Sequence, residues 1–167
     1  AANLGGSKLD EQINNALSAK FSPGHPASYI KLSYPLAWID EDAFTASHVR
    51  EADAEIAVGE AMKQAGLRGY YTKSQLAEGE VPNTALGRKY LNSYSPEGSW
   101  YVMGIPDIYS VGSRAGTDHA SPYNYDTHVP LAFYGSVFQP GIYRANAEPV
   151  DLAATLASLL GINAPTH

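Results

Sequence analysis

The first forty residues alternate between apolar and polar positions with two different periods. Residues 8–21 carry apolar side chains at helical spacing, which predicts an amphipathic helix that ends at the Ser-Pro-Gly turn of residues 22–24. Residues 29–34 alternate with a period of two, which is typical of a half-buried strand. Because Pro35 interrupts this strand, residues 36–39 are predicted to return beside it as the second arm of a hairpin.

The next stretch is predicted to be a turn, a second helix and a strand. The run Asp40-Glu41-Asp42 has neither the oxygen-ligand spacing nor the central glycine of a calcium loop, so it predicts a solvated acidic turn. Residues 47–65 return to the helical period, with Val49, Ala52, Ile56 and Met62 on the apolar stripe and Glu55 mostly away from it. Residues 67–73 then have the composition of a strand.

The second half of the chain contains four further predicted elements. Residues 84–92 form a short helix and residues 100–105 a strand, and the apolar run of residues 129–135 has strand propensity and closes on a glycine. Residues 149–161 form the clearest helix of the sequence, which ends at a glycine. The apolar face of this last helix is predicted to be buried against a sheet, and it consists of Leu152, Leu156, Leu159 and Leu160.

Together these elements predict an α/β fold without internal repeats or low-complexity linkers. Residues 1–167 are predicted to form a single unit, with a candidate α+β subdomain at residues 28–73. The opening Ala-Ala-Asn-Leu-Gly-Gly has no start methionine and no signal-peptide pattern, so we expect a mature or fragmentary chain.

Charge and composition exclude several classes of partner. The formal net charge is −6 and no cluster of lysine and arginine is present, which argues against nucleic-acid binding. No stretch approaches the ~18 uninterrupted apolar residues of a membrane span. The chain has no cysteine, so any metal would have to be held by histidine, aspartate or glutamate.

Candidate chemistry is concentrated in a polar loop just before the apolar run of residues 129–135. Asp118, His119, Asp126 and His128 offer nitrogen and oxygen ligands of the kind that bind divalent metals. The alternative is that both histidines only form hydrogen bonds to backbone carbonyl groups. Composition alone leaves both interpretations open.

The loop also carries a family resemblance. Residues 116–135, Gly-Thr-Asp-His-Ala-Ser-Pro-Tyr-Asn-Tyr-Asp-Thr-His-Val-Pro-Leu-Ala-Phe-Tyr-Gly, resemble the C-terminal metal-binding motif of the alkaline phosphatase superfamily. The resemblance is to the branch of bacterial alkaline phosphatases and nucleotide pyrophosphatase-phosphodiesterases. The terminal helix and the opening of the chain are similar to that family as well. The resemblance implies the C-terminal portion of an alkaline-phosphatase-like α/β sandwich.

The resemblance implies a role for several loop residues. His119 matches the last histidine ligand of a two-zinc centre, although Ala120 replaces the glycine usual after it. His128 matches a position that does not bind metal in the family, so His128 and Asp126 are assigned to the support of the ligands. The site would be lined by Tyr123, Asn124 and Tyr125.

For the parent enzyme the resemblance implies a zinc-dependent phosphate-ester hydrolase, either an alkaline phosphatase or a phosphodiesterase. A threonine or serine nucleophile would attack phosphorus between two zinc ions, and metal-activated water would then cleave the phosphoenzyme. This chain has no match to the nucleophile, to the other ligand groups or to the basic substrate clamp. We therefore expect it to be inactive without the missing N-terminal part of the same enzyme, and the family suggests a periplasmic or secreted location.

Two further hypotheses remain open from the residues alone. One is a non-catalytic module that binds glycans through Trp38, Trp100 and the tyrosines. The other is a self-contained hydrolase that uses Asp118, His119, Asp126 and His128 as its own metal cluster.

Overall fold

A computed structural model describes residues 6–112, 119 and 121–163 of the chain. Backbone contacts divide the chain into two compact units, residues 1–129 and residues 130–167. The described residues form seven helices and four strands. In chain order these elements are α1 (Gly6–Phe21), β1 (Ile30–Ser33), β2 (Leu36–Ile39), α2 (Glu41–Ala46), α3 (Glu51–Gln64), β3 (Gly69–Thr72), α4 (Lys73–Ala77), α5 (Ala85–Asn92), β4 (Tyr101–Ile105), α6 (Asn124–Thr127) and α7 (Val150–Leu160).

The four strands form one antiparallel sheet in the order β1-β2-β4-β3. The predicted hairpin is confirmed, since Ile30 pairs with Ile39 across β1 and β2. Strand β4 lies between β2 and β3, and its Met103 pairs with Leu36 on one side and Tyr71 on the other. The predicted subdomain of residues 28–73 therefore contains three strands of a sheet that β4 completes from outside that range.

Helices α1 and α3 pack against the same face of the sheet. Val102 of β4 contributes to the large core on this face and is fully buried. Adjacent residues of a strand point to opposite faces, so Tyr101 contributes to a smaller cluster on the other face. The large core consists of Leu9, Ile13, Leu17, Tyr29, Ile30, Ala37, Ile39, Phe44, Ala54, Ala57, Val58, Ala61, Met62, Leu67 and Val102.

The smaller cluster fixes α5 on the sheet. Tyr90 of α5 packs there with Leu76, Tyr101 and Ile105. Its hydroxyl group donates a hydrogen bond of 2.9 Å to the carbonyl oxygen of Gly104 in β4. Burial raises the pKa of the Tyr90 hydroxyl, so this group remains a neutral donor.

The predicted acidic turn is the start of a helix. Asp40 is the N-cap of α2, and its Oδ1 accepts a hydrogen bond of 2.9 Å from the backbone amide of Ala43. Glu41 and Asp42 occupy the first turn, where a helix dipole favours negative charge. The prediction of a turn was wrong because cap chemistry favours helix at this point.

The prediction for the next helix was wrong at Glu55 and Ile56, although Met62 of the predicted apolar stripe is buried. Helix α3 begins at Glu51, and it buries Glu55 while Ile56 is 53% exposed. Apart from Glu55, Val58 and Met62, the buried residues of α3 are alanines and a glycine, which allow close approach to the sheet. At Gly59, for example, an added Cβ would overlap the ring of Tyr70. Periodicity placed Ile56 in the core, but the side of α3 that is rich in alanine and glycine packs against the sheet instead.

The second unit, residues 130–167, carries the last helix. Helix α7 is confirmed, and Gly161 ends it in the left-handed conformation at φ 66°. The strand predicted for residues 129–135 is not formed. A strand needs a neighbour for its backbone hydrogen bonds, and the described part of this unit contains no strand that could pair with it.

The leucine face of α7 is not buried by the described residues of its own unit, so the predicted burial against a sheet does not occur within that unit. Leu152, Leu156, Leu159 and Leu160 are between 37% and 71% exposed. An apolar face is buried only where another surface covers it, and periodicity alone does not supply that surface.

The architecture as a whole is mixed α/β, with a small antiparallel sheet and helices, as predicted. None of the helices in the described ranges is long and apolar enough to cross a membrane.

Candidate functional site

Residues 121–127 lie beside the end of β4. Tyr123 donates a hydrogen bond of 2.8 Å from its hydroxyl group to the carbonyl oxygen of Pro106, the first residue after β4. Tyr123 also precedes the short helix α6. The end of the sheet therefore positions the polar loop that contains the predicted site residues.

A lysine on α5 holds the same loop from the other direction. The Nζ of Lys89 donates hydrogen bonds to the carbonyl oxygen of Pro122 at 2.6 Å and to Oγ1 of Thr127 at 3.2 Å. The sequence pattern did not indicate this residue, because its contact depends on where α5 lies on the sheet. Lys89 thus connects the loop to the folded core of the first unit.

A pocket of about 240 Å³ opens where this loop meets the residues after β4. Asp126 is half-buried there, and its Oδ2 accepts a hydrogen bond of 3.2 Å from the backbone amide of Ser121. Imidazole, carboxylate and hydroxyl groups therefore share the pocket with aromatic rings. Its lining consists of Tyr34, Pro106, Tyr109, Ser110, Val111, His119, Ser121, Tyr125 and Asp126.

Three of the predicted site residues meet in this pocket, namely His119, Tyr125 and Asp126. Two others, Asn124 and His128, are exposed and lie outside its lining.

The backbone of His128 ends α6 by donating a hydrogen bond of 3.0 Å to the carbonyl oxygen of Asn124. Tyr123 supports the pocket through Pro106. Asp118 and Ala120 lie outside the described residues.

The pocket supplies few metal ligands. Among the residues that the structure describes, no three histidine, aspartate or glutamate side chains are grouped so that they could hold a metal ion. His119 and Asp126 are the two candidate donors in the lining. A protein zinc site is usually built from about four ligands, so further ligands would have to come from elsewhere.

Several lining residues come from parts of the chain that the sequence analysis did not connect with the loop. Tyr34 follows β1, and Tyr109 and Ser110 follow β4. The hydroxyl groups of Tyr34 and Ser110 form a hydrogen bond of 3.2 Å. The sequence has a cluster of tyrosines between residues 90 and 143, and Tyr109 belongs to it. The cluster by itself does not show which ring lines the pocket.

The tryptophans of the glycan-binding hypothesis lie apart from this pocket. Trp38 is on β2 and makes an edge contact with Tyr101, with ring centroids 5.7 Å apart. Trp100 packs against the large core. Neither is part of the pocket lining, so the tryptophans and the pocket tyrosines do not form one platform.

A second hollow of about 480 Å³ lies on the side of the loop that faces α5. Lys89 and Thr127 line it together with Leu36 and Met103. Its lining contains no histidine and no carboxylate, whereas the pocket at His119 contains both. The pocket at His119 is therefore the candidate functional site.

The chain is similar to known proteins in sequence and in fold. No protein-family model matches it. It is 28% identical to a calcium-transporting ATPase of Myroides odoratus over 94% of this chain and 29% of that protein. It is 27% identical to alkaline phosphatase PafA of Elizabethkingia meningoseptica over 64% of this chain and 20% of that protein. The chain thus spans less than a third of the length of these relatives.

Crystal structures of alkaline phosphatase PafA share the fold. The wild-type structure superposes on 95% of this chain with a TM-score of 0.78 and 23% identity, and the matched part is 30% of the enzyme. A structure of a PafA variant matches with a TM-score of 0.76 and 23% identity over 94% of this chain. These comparisons confirm the resemblance to the alkaline phosphatase superfamily, and the chain has the fold of a part of an alkaline phosphatase.

Proposed function

We propose that this chain is the C-terminal segment of a zinc-dependent phosphate-ester hydrolase and contributes His119 as one ligand of its metal centre. The observation that carries the proposal is the position of His119. It lies in a pocket with Asp126, in a loop whose sequence resembles the metal-binding motif of the superfamily whose fold the chain shares. Asp126 and the tyrosines of the pocket support and line the site.

The pocket lining offers two candidate metal ligands, which supports a metal centre whose other ligands come from another part of the protein. His119 is a nitrogen ligand of the type that zinc prefers, and Asp126 is a carboxylate held by the amide of Ser121. The remaining ligands and the nucleophile would come from the part of the enzyme that this chain does not contain. When bound, the zinc ions polarise the phosphoryl group and activate the attacking oxygen.

The apolar surface of the second unit supports a larger parent protein. Besides the leucines of α7, Phe133, Val137, Ile142 and Tyr143 are between 38% and 86% exposed. Exposed apolar surface of this extent marks a contact with another surface. Because the relatives are more than three times as long as the stretch they match, we assign this contact to the remainder of the same enzyme.

Phosphate esters are the proposed substrates, as monoesters or diesters. Of the two relatives, the alkaline phosphatase and not the calcium-transporting ATPase supports this choice of substrate. Both the fold and the loop motif relate the chain to the alkaline phosphatases. Export to the periplasm or the medium remains an expectation from the family.

The test uses the full-length protein and two histidine variants. Zinc content is measured by mass spectrometry, and turnover is measured with nitrophenyl phosphate. His119→Ala is expected to lower the zinc content and to reduce turnover at least about 100-fold, since it removes a ligand. Asp126→Asn, which weakens only the support of the site, is expected to reduce turnover by about 10- to 100-fold.

His25→Ala is the matched control, because His25 lies in an exposed turn after α1. It is expected to leave both zinc content and turnover unchanged. Full metal loading and full activity in His119→Ala would show that His119 is not a ligand. Zinc-dependent turnover by residues 1–167 alone would instead support a self-contained hydrolase.

A further inference from the structure

Three tyrosine rings are stacked beside the pocket that contains His119. The rings of Tyr109 and Tyr125 are nearly parallel, with an interplanar angle of 23° and centroids 4.8 Å apart. Tyr125 also stacks on Tyr123, at 21° and 5.8 Å. Tyr109 and Tyr125 line the pocket, whereas Tyr123 is held by its hydrogen bond to Pro106. The stack therefore has a fixed base and an open end.

The open end is a large area of aromatic surface. Tyr109 is 66% exposed and Tyr125 is 47% exposed, although both belong to a unit with a well-formed core. The pocket beside them also contains the imidazole of His119 and the carboxylate of Asp126. An apolar planar group that entered this pocket would lie next to the proposed metal ligand.

The backbone at Tyr109 has an unfavourable conformation, and this conformation sets the position of the Tyr109 ring. Its φ angle is +60°, a left-handed conformation that a bulky side chain rarely adopts. The conformation is maintained because the Tyr109 amide donates a hydrogen bond of 3.0 Å to the hydroxyl oxygen of Tyr125. Strained residues of this kind are concentrated at functional sites, where contacts from the surrounding structure hold them in place.

Resting on the function proposed above, we propose that Tyr109 and Tyr125 form a subsite for the leaving group, which favours phosphate esters of aromatic alcohols. The ring of the alcohol stacks on the open face of Tyr109 while the phosphate faces His119. An apolar cavity of about 150 Å³ is enough to hold benzene. The pocket, at about 240 Å³, therefore accommodates a single aromatic ring.

The size of the effect follows from the strength of aromatic stacking. A stacked pair contributes about 0.5–1.5 kcal/mol beyond the burial of its area, which corresponds to roughly two- to twelve-fold in kcat/KM. An alkyl alcohol does not make this contact. The signature of the subsite is therefore a ratio, the kcat/KM for phenyl phosphate divided by that for methyl phosphate.

The experiment measures this ratio in the full-length, zinc-loaded protein for three variants of one turn. Tyr109→Asn removes the ring but suits the positive φ angle, so the variant keeps its fold. It is expected to lower the ratio about two- to twelve-fold. Tyr109→Phe keeps a stacking surface, so its ratio is expected to stay within about two-fold of the wild-type ratio. A two-fold change is roughly the smallest that the loss of stacking would produce.

Ile108→Asn is the control, since Ile108 is an exposed neighbour in the same turn and is not part of the pocket lining. It is expected to leave the ratio unchanged. A ratio that is the same in Tyr109→Asn and wild type, or that falls equally in Tyr109→Phe, overturns the subsite while leaving the phosphatase function intact. A wild-type protein that hydrolyses neither these two monoesters nor the corresponding diesters overturns the proposed function, and the subsite with it.

Discussion

The ammonium group of Lys89 lies 2.6 Å from the carbonyl oxygen of Pro122, to which it donates a hydrogen bond. Lys89 belongs to α5, and Pro122 precedes the helix that carries Tyr125 and Asp126 into the candidate site. A second hydrogen bond from the same ammonium group reaches Thr127 at 3.2 Å. One side chain therefore holds both ends of the loop segment that contains Asp126.

We predict that Lys89→Met loosens this loop. Hydrogen bonds to charged groups contribute about 1.5–3 kcal/mol, and partial exposure reduces this value, so the loss in global stability is expected to be about 1 kcal/mol. The local effect is larger, because the amides of residues 121–128 lose their anchor. Hydrogen exchange monitored by mass spectrometry should show faster exchange in that segment.

Arg88→Met is the control for Lys89→Met. Arg88 is exposed on the same helix and donates a hydrogen bond to Asn83, away from the loop. It should leave exchange in residues 121–128 unchanged. Equal exchange rates in wild type and Lys89→Met would show that the loop does not depend on this lysine.

A second prediction concerns the buried carboxyl group of Glu55 in α3. Burial raises its pKa above the ordinary value of 4.5, and the negative charge of Glu51 adds to this effect. Its Oε2 accepts a hydrogen bond of 3.3 Å from the amide of Ser74, while Oε1 has no hydrogen-bond partner among the described residues. Relative to the unfolded state, folding therefore shifts Glu55 toward its protonated form.

The raised pKa gives a definite direction for the dependence of stability on pH. Below pH 4.5 the carboxyl group is protonated in both states, and its contribution to stability is fully present. As the pH rises from 4.5 through the folded-state pKa, the unfolded state ionises first and this contribution is lost. Glu55 thus lowers the free energy of unfolding at neutral pH.

Glu55→Gln should remove this pH dependence. The amide oxygen can still accept the hydrogen bond from Ser74, and no charge is buried at pH 7. The variant is expected to be more stable than wild type by about 1 kcal/mol at pH 7, and the difference should shrink toward pH 4.5. Urea unfolding at several pH values measures it.

The exposed Glu11→Gln variant is the control and should show no such trend. A Glu55→Gln protein whose stability follows that of wild type at every pH would contradict the buried ionisation.

A third prediction concerns the apolar face of α7. Leu156 is 42% exposed in this chain, and the proposed function assigns its cover to the rest of the enzyme. Leu156→Asp in the full-length protein should therefore cost at least about 2 kcal/mol, because a buried leucine contributes about 1.5–3 kcal/mol and a buried charge adds to the loss. Chemical unfolding of the full-length protein measures this cost.

Ser158→Asp is the matched substitution on the other side of the same helix. Ser158 is exposed and lies about 200° around the helix from Leu156. Its cost should be within about 0.5 kcal/mol of zero, as for most surface substitutions. Equal small costs for both variants would show that the leucine face is open to solvent in the full-length protein as well.

Local sequence patterns predicted most of the helices and all four strands of the sheet. The helical spacing between Leu9 and Phe21, the alternation in residues 29–34 and the closing Gly161 are each contained within a few neighbouring residues. Periods and end signals of this kind act through local backbone geometry, so they can be read without knowledge of the fold. The loop motif around His119 was also contained in one continuous stretch.

Tertiary structure decided what is buried and what meets in the pocket. Ile56 is outside because the side of α3 that is rich in alanine and glycine, which also carries Glu55, packs against the sheet. Tyr34, Lys89 and Tyr109 come from separate elements, and only the sheet order places them around the loop. The run of residues 129–135 did not form a strand, because strand pairing requires a partner that a sequence pattern cannot provide.

The sequence by itself therefore determined the local elements, the superfamily resemblance and His119 as the candidate ligand. The tertiary structure alone decided the aromatic neighbours of His119, the lysine that holds its loop and the leucine face of α7 that its own unit leaves uncovered. The physical reason is that helix and strand periods arise within a few consecutive residues. Burial and site geometry arise between residues that are far apart in the chain.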